Sequence, residues 1–228
     1  MKKISIHQSQ YIPWAPYFKK IAMSDVFVVM DSVQYQKNGV QNRNRIRDKN
    51  SDYWLTIPIT GNLTDVISEK RLASDRWMMK HWKSIQSAYR SAPNWELYAE
   101  KIEFLYQQRY STLLEANQAF FIFLMDSLKI NTQVVFLSEL QVTGEKSDLV
   151  LNICKELCAT EYISGYGSKS YLNEKKFIES GVEIYYLESI SPVYPQVQGE
   201  FISGLSMIDM LLNSPEELIQ EYLYSNQR

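Results

Sequence analysis

His7 is one of only two histidines in the chain, and it stands in the run His7-Gln8-Ser9-Gln10-Tyr11-Ile12-Pro13-Trp14. An imidazole takes or gives a proton near neutral pH, or hydrogen-bonds a phosphate. The amides of Gln8 and Gln10 and the rings of Tyr11 and Trp14 suit a polar, ring-bearing ligand such as a sugar nucleotide. Packing of Tyr11 and Trp14 into a loop that His7 fixes is the competing structural reading. A second constellation is basic: Arg43, Arg45 and Arg47 recur at every second position, with Lys37 behind them and Asn42 and Asn44 interleaved. In an extended segment this alternation puts all three guanidinium groups on one face. There their forks would meet a phosphate or pyrophosphate, unless the face is merely solvated. A third is Ser164 with Gly165-Tyr166-Gly167-Ser168-Lys169-Ser170-Tyr171, the glycine-densest loop. Its backbone amides, the hydroxyls of Ser164 and Ser168 and the Lys169 ammonium would hold an anion; an ordinary strand-to-helix turn is the plainer reading.

His81 lies between Trp77 and Trp82 on a predicted helix, either as a structural residue or as a second acid/base group. Asp31 follows an apolar run and is placed to orient a substrate. His7, Asp31 and His81 therefore form the candidate catalytic set. The chain contains no P-loop, no Gly-x-Gly-x-x-Gly, no His-Glu-x-x-His and no Gly-x-Ser-x-Gly, which counts against several familiar enzyme classes. No metal ligand set is expected, and no tightly bound cofactor. Cys154 and Cys158, at helical i, i+4 spacing, read as reduced core residues.

These side chains need a scaffold, and the opening stretch announces one. An apolar run at Ile4 and Ile6, a predicted helix from Pro13 to Met23 and a second apolar run from Val26 to Asp31 spell strand, helix and parallel strand. Ligands of open α/β sheets bind at the carboxyl ends of the strands, where His7 falls. Further along, Tyr53 to Ile59 predicts a strand and Val66 to Arg71 a shorter one. Helical spacing covers Asp75 to Arg90, Trp95 to Arg109 and Thr112 to Leu128. Strands at Val134–Leu137, Tyr162–Ser164 and Val182–Leu187 alternate with helices at Lys146–Ala159 and about Asn173–Ser180. After a loop from Ser191 to Gly204, two helices close the chain, Leu205–Leu212 and Pro215–Tyr224. The pattern predicts one α/β domain over residues 1–228. Its sheet is mostly parallel and Rossmann-like, the HUP-like layout included, flanked by helices, with a helical insertion near 74–128.

At 228 residues, with 45% hydrophobic and 13% aromatic content, the chain is long and apolar enough to bury a sizeable core. A net charge of −2 supplies no global field for nucleic acid or anionic membrane. No apolar run approaches the roughly 20 residues of a membrane span, and Met1-Lys2-Lys3 leads straight into a strand. A cytoplasmic protein is the expectation.

Several of these residues also carry a resemblance. His7-Gln8-x-x-Tyr11-x-Pro13-Trp14, Tyr17-Phe18-x-Lys20-Ile21, Asp25-Val26-Phe27 and Asp31-x-Val33-Gln34-Tyr35 are similar to the WbqC-like protein family of bacterial surface-polysaccharide gene clusters. So are Gln41-Asn42-Arg43-Asn44-Arg45-Ile46, His81, Tyr89-x-x-Ala92-Pro93, Ile163-Ser164-Gly165, Tyr194-Pro195-Gln196 and Phe201-x-x-x-Leu205-Ser206-x-x-Asp209-x-Leu211. Ser9 stands where that family commonly has proline, and Gln198 where histidine is frequent. The resemblance adds Gln34 to the binding candidates and implies a role in O-antigen or related glycan assembly. A fainter likeness is to the HIGH/KMSKS nucleotidylyltransferases, with Gln10 in place of the second histidine.

The expected activity is transfer of an acyl or aminoacyl group, glycine among the candidates, to the amine of a nucleotide-linked amino sugar. The donor would be a thioester of coenzyme A or of an acyl carrier protein. His7 would take the proton or hold the amine, Gln8, Gln10 and Asp31 would position the sugar, and Arg43, Arg45 and Lys169 would bind phosphates. An ATP-using adenylate-forming enzyme, or a non-catalytic sugar-nucleotide or assembly module, are the alternatives; a homodimer is compatible with either. All of this expects the imidazole and the guanidinium row to line one crevice.

Overall fold

A computed structural model of the protein describes residues 1–49 and 51–225. The chain opens with β1 (Lys3–Gln8), α1 (Ala15–Ala22) and β2 (Val26–Met30). Next come the antiparallel hairpin β3 (Arg43–Arg47) and β4 (Asp52–Thr56), then the two-residue pair β5 (Ile59–Thr60) and β6 (Arg71–Leu72). Three helices follow, α2 (Arg76–Tyr89), α3 (Trp95–Gln107) and α4 (Leu113–Ser127). The remainder is β7 (Gln133–Phe136), α5 (Lys146–Glu156), β8 (Glu161–Gly165), α6 (Glu174–Glu179), β9 (Glu183–Leu187), α7 (Met207–Asn213) and α8 (Glu216–Tyr224).

Five strands form a wholly parallel sheet in the order β7-β2-β1-β8-β9, flanked by helices, as the Rossmann-like reading expects. Strand alternation sorts its two faces. Ile4 and Ile6 of β1 join Val26 and Val28 in one apolar cluster with Val150, Cys154 and Phe177 of α5 and α6. On the other face Phe27 and Val29 pack with Phe18 and Ile21 of α1 and Phe120 and Phe121 of α4. The C-terminal end of α1 is pinned to β1, where Ser24 Oγ donates to Lys20 O at 2.7 Å and shares a hydrogen bond of 2.7 Å with the Ser5 hydroxyl. The start of α4 is fixed by a reciprocal cap: Glu115 N–H donates to Thr112 Oγ1 at 3.1 Å and Thr112 N–H to Glu115 Oε2 at 3.3 Å.

Helices α2, α3 and α4 occupy the predicted insertion. The expected strand from Tyr53 to Ile59 is two strands, broken at Ile57-Pro58, because proline has no N–H to continue a ladder. Most of the expected strand from Val66 to Arg71 is instead a 3-10 turn, Ile67–Glu69, with only Arg71 entering β6.

The register positions the site. The β1–β2 ladder runs from Ile4↔Val26 to Gln8↔Met30, and the β8–β9 ladder from Glu161↔Glu183 to Gly165↔Leu187. The β1–β8 ladder spans only Lys3↔Glu161 to Ser5↔Ile163. Both strands continue past that point, each held by its outer neighbour, so their carboxyl ends part from one another. From β1 the chain crosses over to β2 on one side, while β8 connects onward to β9 on the other. The parting is therefore the topological switch point of the sheet, where open α/β folds take their ligands.

Candidate functional site

His7 and Gln8 stand at the end of β1 beside this parting, and Ser164 and Gly165 at the end of β8. A Cβ built on Gly165 would meet only Ser189 Oγ, at 3.8 Å, and one on Gly167 nothing within 4 Å. His7 shares the α1 face with Ser5, and its ring meets Tyr17 edge-on at 5.0 Å. His7 Nδ1 lies 3.2 Å from Gln10 Nε2 and 3.4 Å from Gln8 O. Nε2 has no hydrogen-bond partner among the described residues, which leaves that edge for a ligand. Burial pushes the imidazole down to about 3, with the Lys20 charge adding to the effect and the Gln8 carbonyl opposing it. The ring is therefore neutral at pH 7, suited to orienting a polar group and weak as a proton store. Gln8 Oε1 accepts from Gln41 Nε2 at 2.8 Å, and Gln41 Oε1 in turn accepts the Gln36 N–H at 2.7 Å.

Beside His7, a cavity of about 10 Å³ is lined by Ser9, Gln10, Asn117 and Gln118 with Tyr17 and Phe121. Gln10 Oε1 and Asn117 Oδ1 are buried there without a hydrogen-bond partner among the described residues. The orientation of Asn117 is fixed, because its Nδ2 donates to Ser9 Oγ at 3.1 Å and to Gln41 O at 2.9 Å. Two orphaned acceptors in a space the size of one water call for a hydrogen-bond donor. Sequence reading missed Asn117, although an amide amid the apolar run of α4 was a visible signal. It also missed Lys20 as a site residue; a lysine at i+3 from Tyr17, on the apolar face of α1, was the corresponding clue.

The loop between His7 and α1 is strained. Ile12 is buried and has φ of 39°, an outlier for a β-branched residue. Asn44 holds it by donating from Nδ2 to Ile12 O at 2.8 Å and to Tyr11 O at 3.4 Å. We expect Asn44→Ala to cost about 1–3 kcal/mol, since it leaves a buried carbonyl unpaired beside strained backbone. An unchanged urea midpoint would show that the loop holds itself.

The other predicted residues separate. Asn42 and Asn44 face inward, Asn42 Nδ2 donating to Ile57 O at 2.8 Å. By alternation Arg43 and Arg45 point from the opposite face of the hairpin, over Trp54 at 4.4 and 5.8 Å. Arg43 Nη2 donates to Asn38 O, and Arg45 pairs with Asp52 at 2.9 Å. Arg47 is 1% exposed and enclosed by the tail. The guanidinium row thus neither forms one open face nor joins His7: the tail covers one end, and the inward asparagines turn the rest away. Trp14 approaches Gly204 beside Arg45. Tyr11 is fully buried, its hydroxyl between His81 Nδ1 (3.0 Å) and Tyr106 OH. His81 is 3% exposed and lowered to about 3, mainly by burial, so its place is the aromatic core under Tyr11 and not the crevice. Asp31 is occupied by Ser138, whose N–H and Oγ donate to it at 3.0 and 2.6 Å. Gln34 is exposed and donates to Leu63 O at 3.2 Å. Ser164 and Ser168 share a hydrogen bond of 2.6 Å, and Lys169 stands over the Tyr166 and Tyr186 rings, 5.5 Å from each. Among the described residues no three His, Cys, Asp or Glu side chains assemble as metal ligands, and no helix is long and apolar enough to cross a membrane.

Comparison with known proteins supports the resemblance. The WbqC-like protein family matches residues 8–221. The chain is 29% identical over 231 residues, spanning the whole of both proteins, to Rv1507c of Mycobacterium tuberculosis, described as an uncharacterized protein. No solved structure matches it.

Proposed function

We propose a function for this chain, which belongs to the WbqC-like protein family: transfer of an acyl or aminoacyl group to the amine of a nucleotide-linked amino sugar, in surface-glycan assembly. The observation that carries this reading is the parting of β1 and β8, with the free Nε2 edge of His7 beside it. A thioester of coenzyme A or of a carrier protein would be the donor. The amine attacks the thioester carbonyl, the C–N bond forms as the C–S bond breaks, and the proton lost by nitrogen ends on the departing sulfur. A neutral His7 holds the amine in line, and Gln8 and Gln10 orient the sugar. Alignment of this kind is a large part of what such a reaction needs.

Gly165→Val tests the reading without touching any polar group. Gly165 has φ of −76°, which valine adopts, and its Cβ direction is open. Nucleotide-linked amino sugars should be acylated by the wild type from acetyl or glycyl thioesters, and Gly165→Val should block this with its unfolding midpoint preserved. His7→Ala should lower turnover by roughly 10²-fold, the size expected when a group that aligns the reactants is lost. Full activity in Gly165→Val, or no transfer with any donor–acceptor pair, would sink the proposal.

A further inference from the structure

The carbonyls of β1 alternate between its two neighbours. Lys3 O accepts from Asp25 N–H on the β2 side at 2.9 Å, and Lys2 O from Glu161 N–H on the β8 side at 3.2 Å. By the same alternation Ile6 O faces β8, where the Gly165 N–H would be its next ladder partner. The ladder has stopped before that rung. Lys20 Nζ fills the place, donating to Ile6 O at 2.8 Å.

Lys20 is 5% exposed, and among the described residues its ammonium has no second hydrogen bond and no carboxylate partner. His7 on β1 is the titratable group that feels the Lys20 charge, and it is neutral. Tyr17 and Lys19 flank it on α1. The nearby carboxylates, Asp25 and Glu161, are at the far end of the strands, engaged by Lys3 N–H at 2.7 Å and Lys3 Nζ at 3.9 Å. A buried cation with two idle donors and no counter-charge lacks an anion. Burial pushes this amine down to about 7.

We propose that the parting of β1 and β8 is a binding site for a phosphoryl oxyanion, with Lys20 as its cation. The inference rests on the reading above for its ligand class, the diphosphate of a sugar nucleotide. It moves the phosphate-binding role from Arg43 and Arg45 to a residue at the switch point, where doubly wound sheets hold phosphates. An arriving anion restores the charged form of Lys20, so binding above neutrality takes up a proton.

The test follows the amine itself. Lysine is labelled with ¹³C at Cε, and the Lys20 signal is identified by its loss in Lys20→Met, a variant that removes a buried charge and keeps the stem. Titrated free, Lys20 should turn over near pH 7; with inorganic pyrophosphate its midpoint should rise by about one pH unit or more. At pH 8 a rise of one unit takes up about 0.4 proton, and a larger rise more. Pyrophosphate should raise the Tm of the wild type and leave that of Lys20→Met unchanged. A free midpoint near 10.5, or a signal that pyrophosphate does not move, overturns the proposal, as does a response to acetate alone. A pyrophosphate response in a protein without transferase activity would retain the anion site and discard the transferase. Activity without the response would do the reverse.

Discussion

Arg47→Met lowers the free energy of unfolding by about 3–5 kcal/mol, the size expected when one member of a buried charged network is removed. Arg47 Nη1 donates to Gln196 Oε1 at 3.0 Å and to Glu200 O at 2.7 Å, and Nη2 donates to Gln198 O. The Arg47 N–H donates to Tyr89 OH at 2.9 Å, and Tyr89 OH donates to Asp209 Oδ1 at 2.8 Å. Tyr194 OH and Gln196 Nε2 complete the carboxylate, reaching Asp209 Oδ2 at 2.7 and 2.8 Å. Burial raises the proton affinity of Asp209, while these three donors and the Arg47 charge oppose it. Methionine therefore strips Glu200 O and Gln198 O of the Arg47 donor, leaves Gln196 Oε1 only the Ile202 N–H at 2.9 Å, and removes a positive charge from beside a buried carboxylate. The urea midpoint should fall steeply, and the segment 196–200 should become protease-sensitive. Arg45→Met is the contrast: its Asp52 pair is about one-third exposed, and such pairs are worth about 0–1 kcal/mol. Equal, small losses in the two variants would show that the buried network is not the fastening.

The contrast between Arg45 and Arg47 also marks how far the sequence could be read. Local periodicity located the five strands of the parallel sheet, the inserted helices and the strand end that carries His7, because each depends on neighbours in sequence. It also put the three arginines on one side of an extended segment. Which part of that side stays open depends on a segment some 150 residues later, which encloses Arg47 and reaches the Arg45 guanidinium only through Gly204 O, at 3.4 Å. His81 posed the same difficulty, since a helical histidine beside tryptophans looks alike whether its outer partner is a ligand or the Tyr11 hydroxyl. Lys20 was the least legible. Its significance comes from a rung missing between β1 and β8, and strand spacing says nothing about where a ladder stops. The matched Tyr89, Tyr194, Gln196 and Asp209 have a structural explanation in the Arg47 network, so recurrence in a motif does not by itself make them site residues.

Acid should unfold the protein through its two histidines. His7 and His81 have an ordinary value of 6.5 and are both lowered to about 3 in the fold, mainly by burial. Between those values the unfolded chain binds protons that the native state refuses, so the histidines' contribution to stability is complete above pH 6.5 and is lost as pH falls toward 3. Each histidine adds a slope of up to ~1.4 kcal/mol per pH unit, and the two together about 2.7. Asp209, raised by burial, has the opposite sign and offsets part of this loss between its raised value and its ordinary 3.8. Lys20, lowered from 10.5 to about 7, adds a separate ramp on which stability rises from pH 7 to 10.5. Urea midpoints at pH 7, 6 and 5 should show the wild-type slope, and His81→Gln should remove about half of it; identical slopes would mean that His81 is not held neutral. His7→Gln should flatten the same limb by a similar amount. The two variants part company in the transfer assay. Only His7 lies beside the parting of β1 and β8, so its replacement alone should lower turnover at a pH where both variants are fully folded.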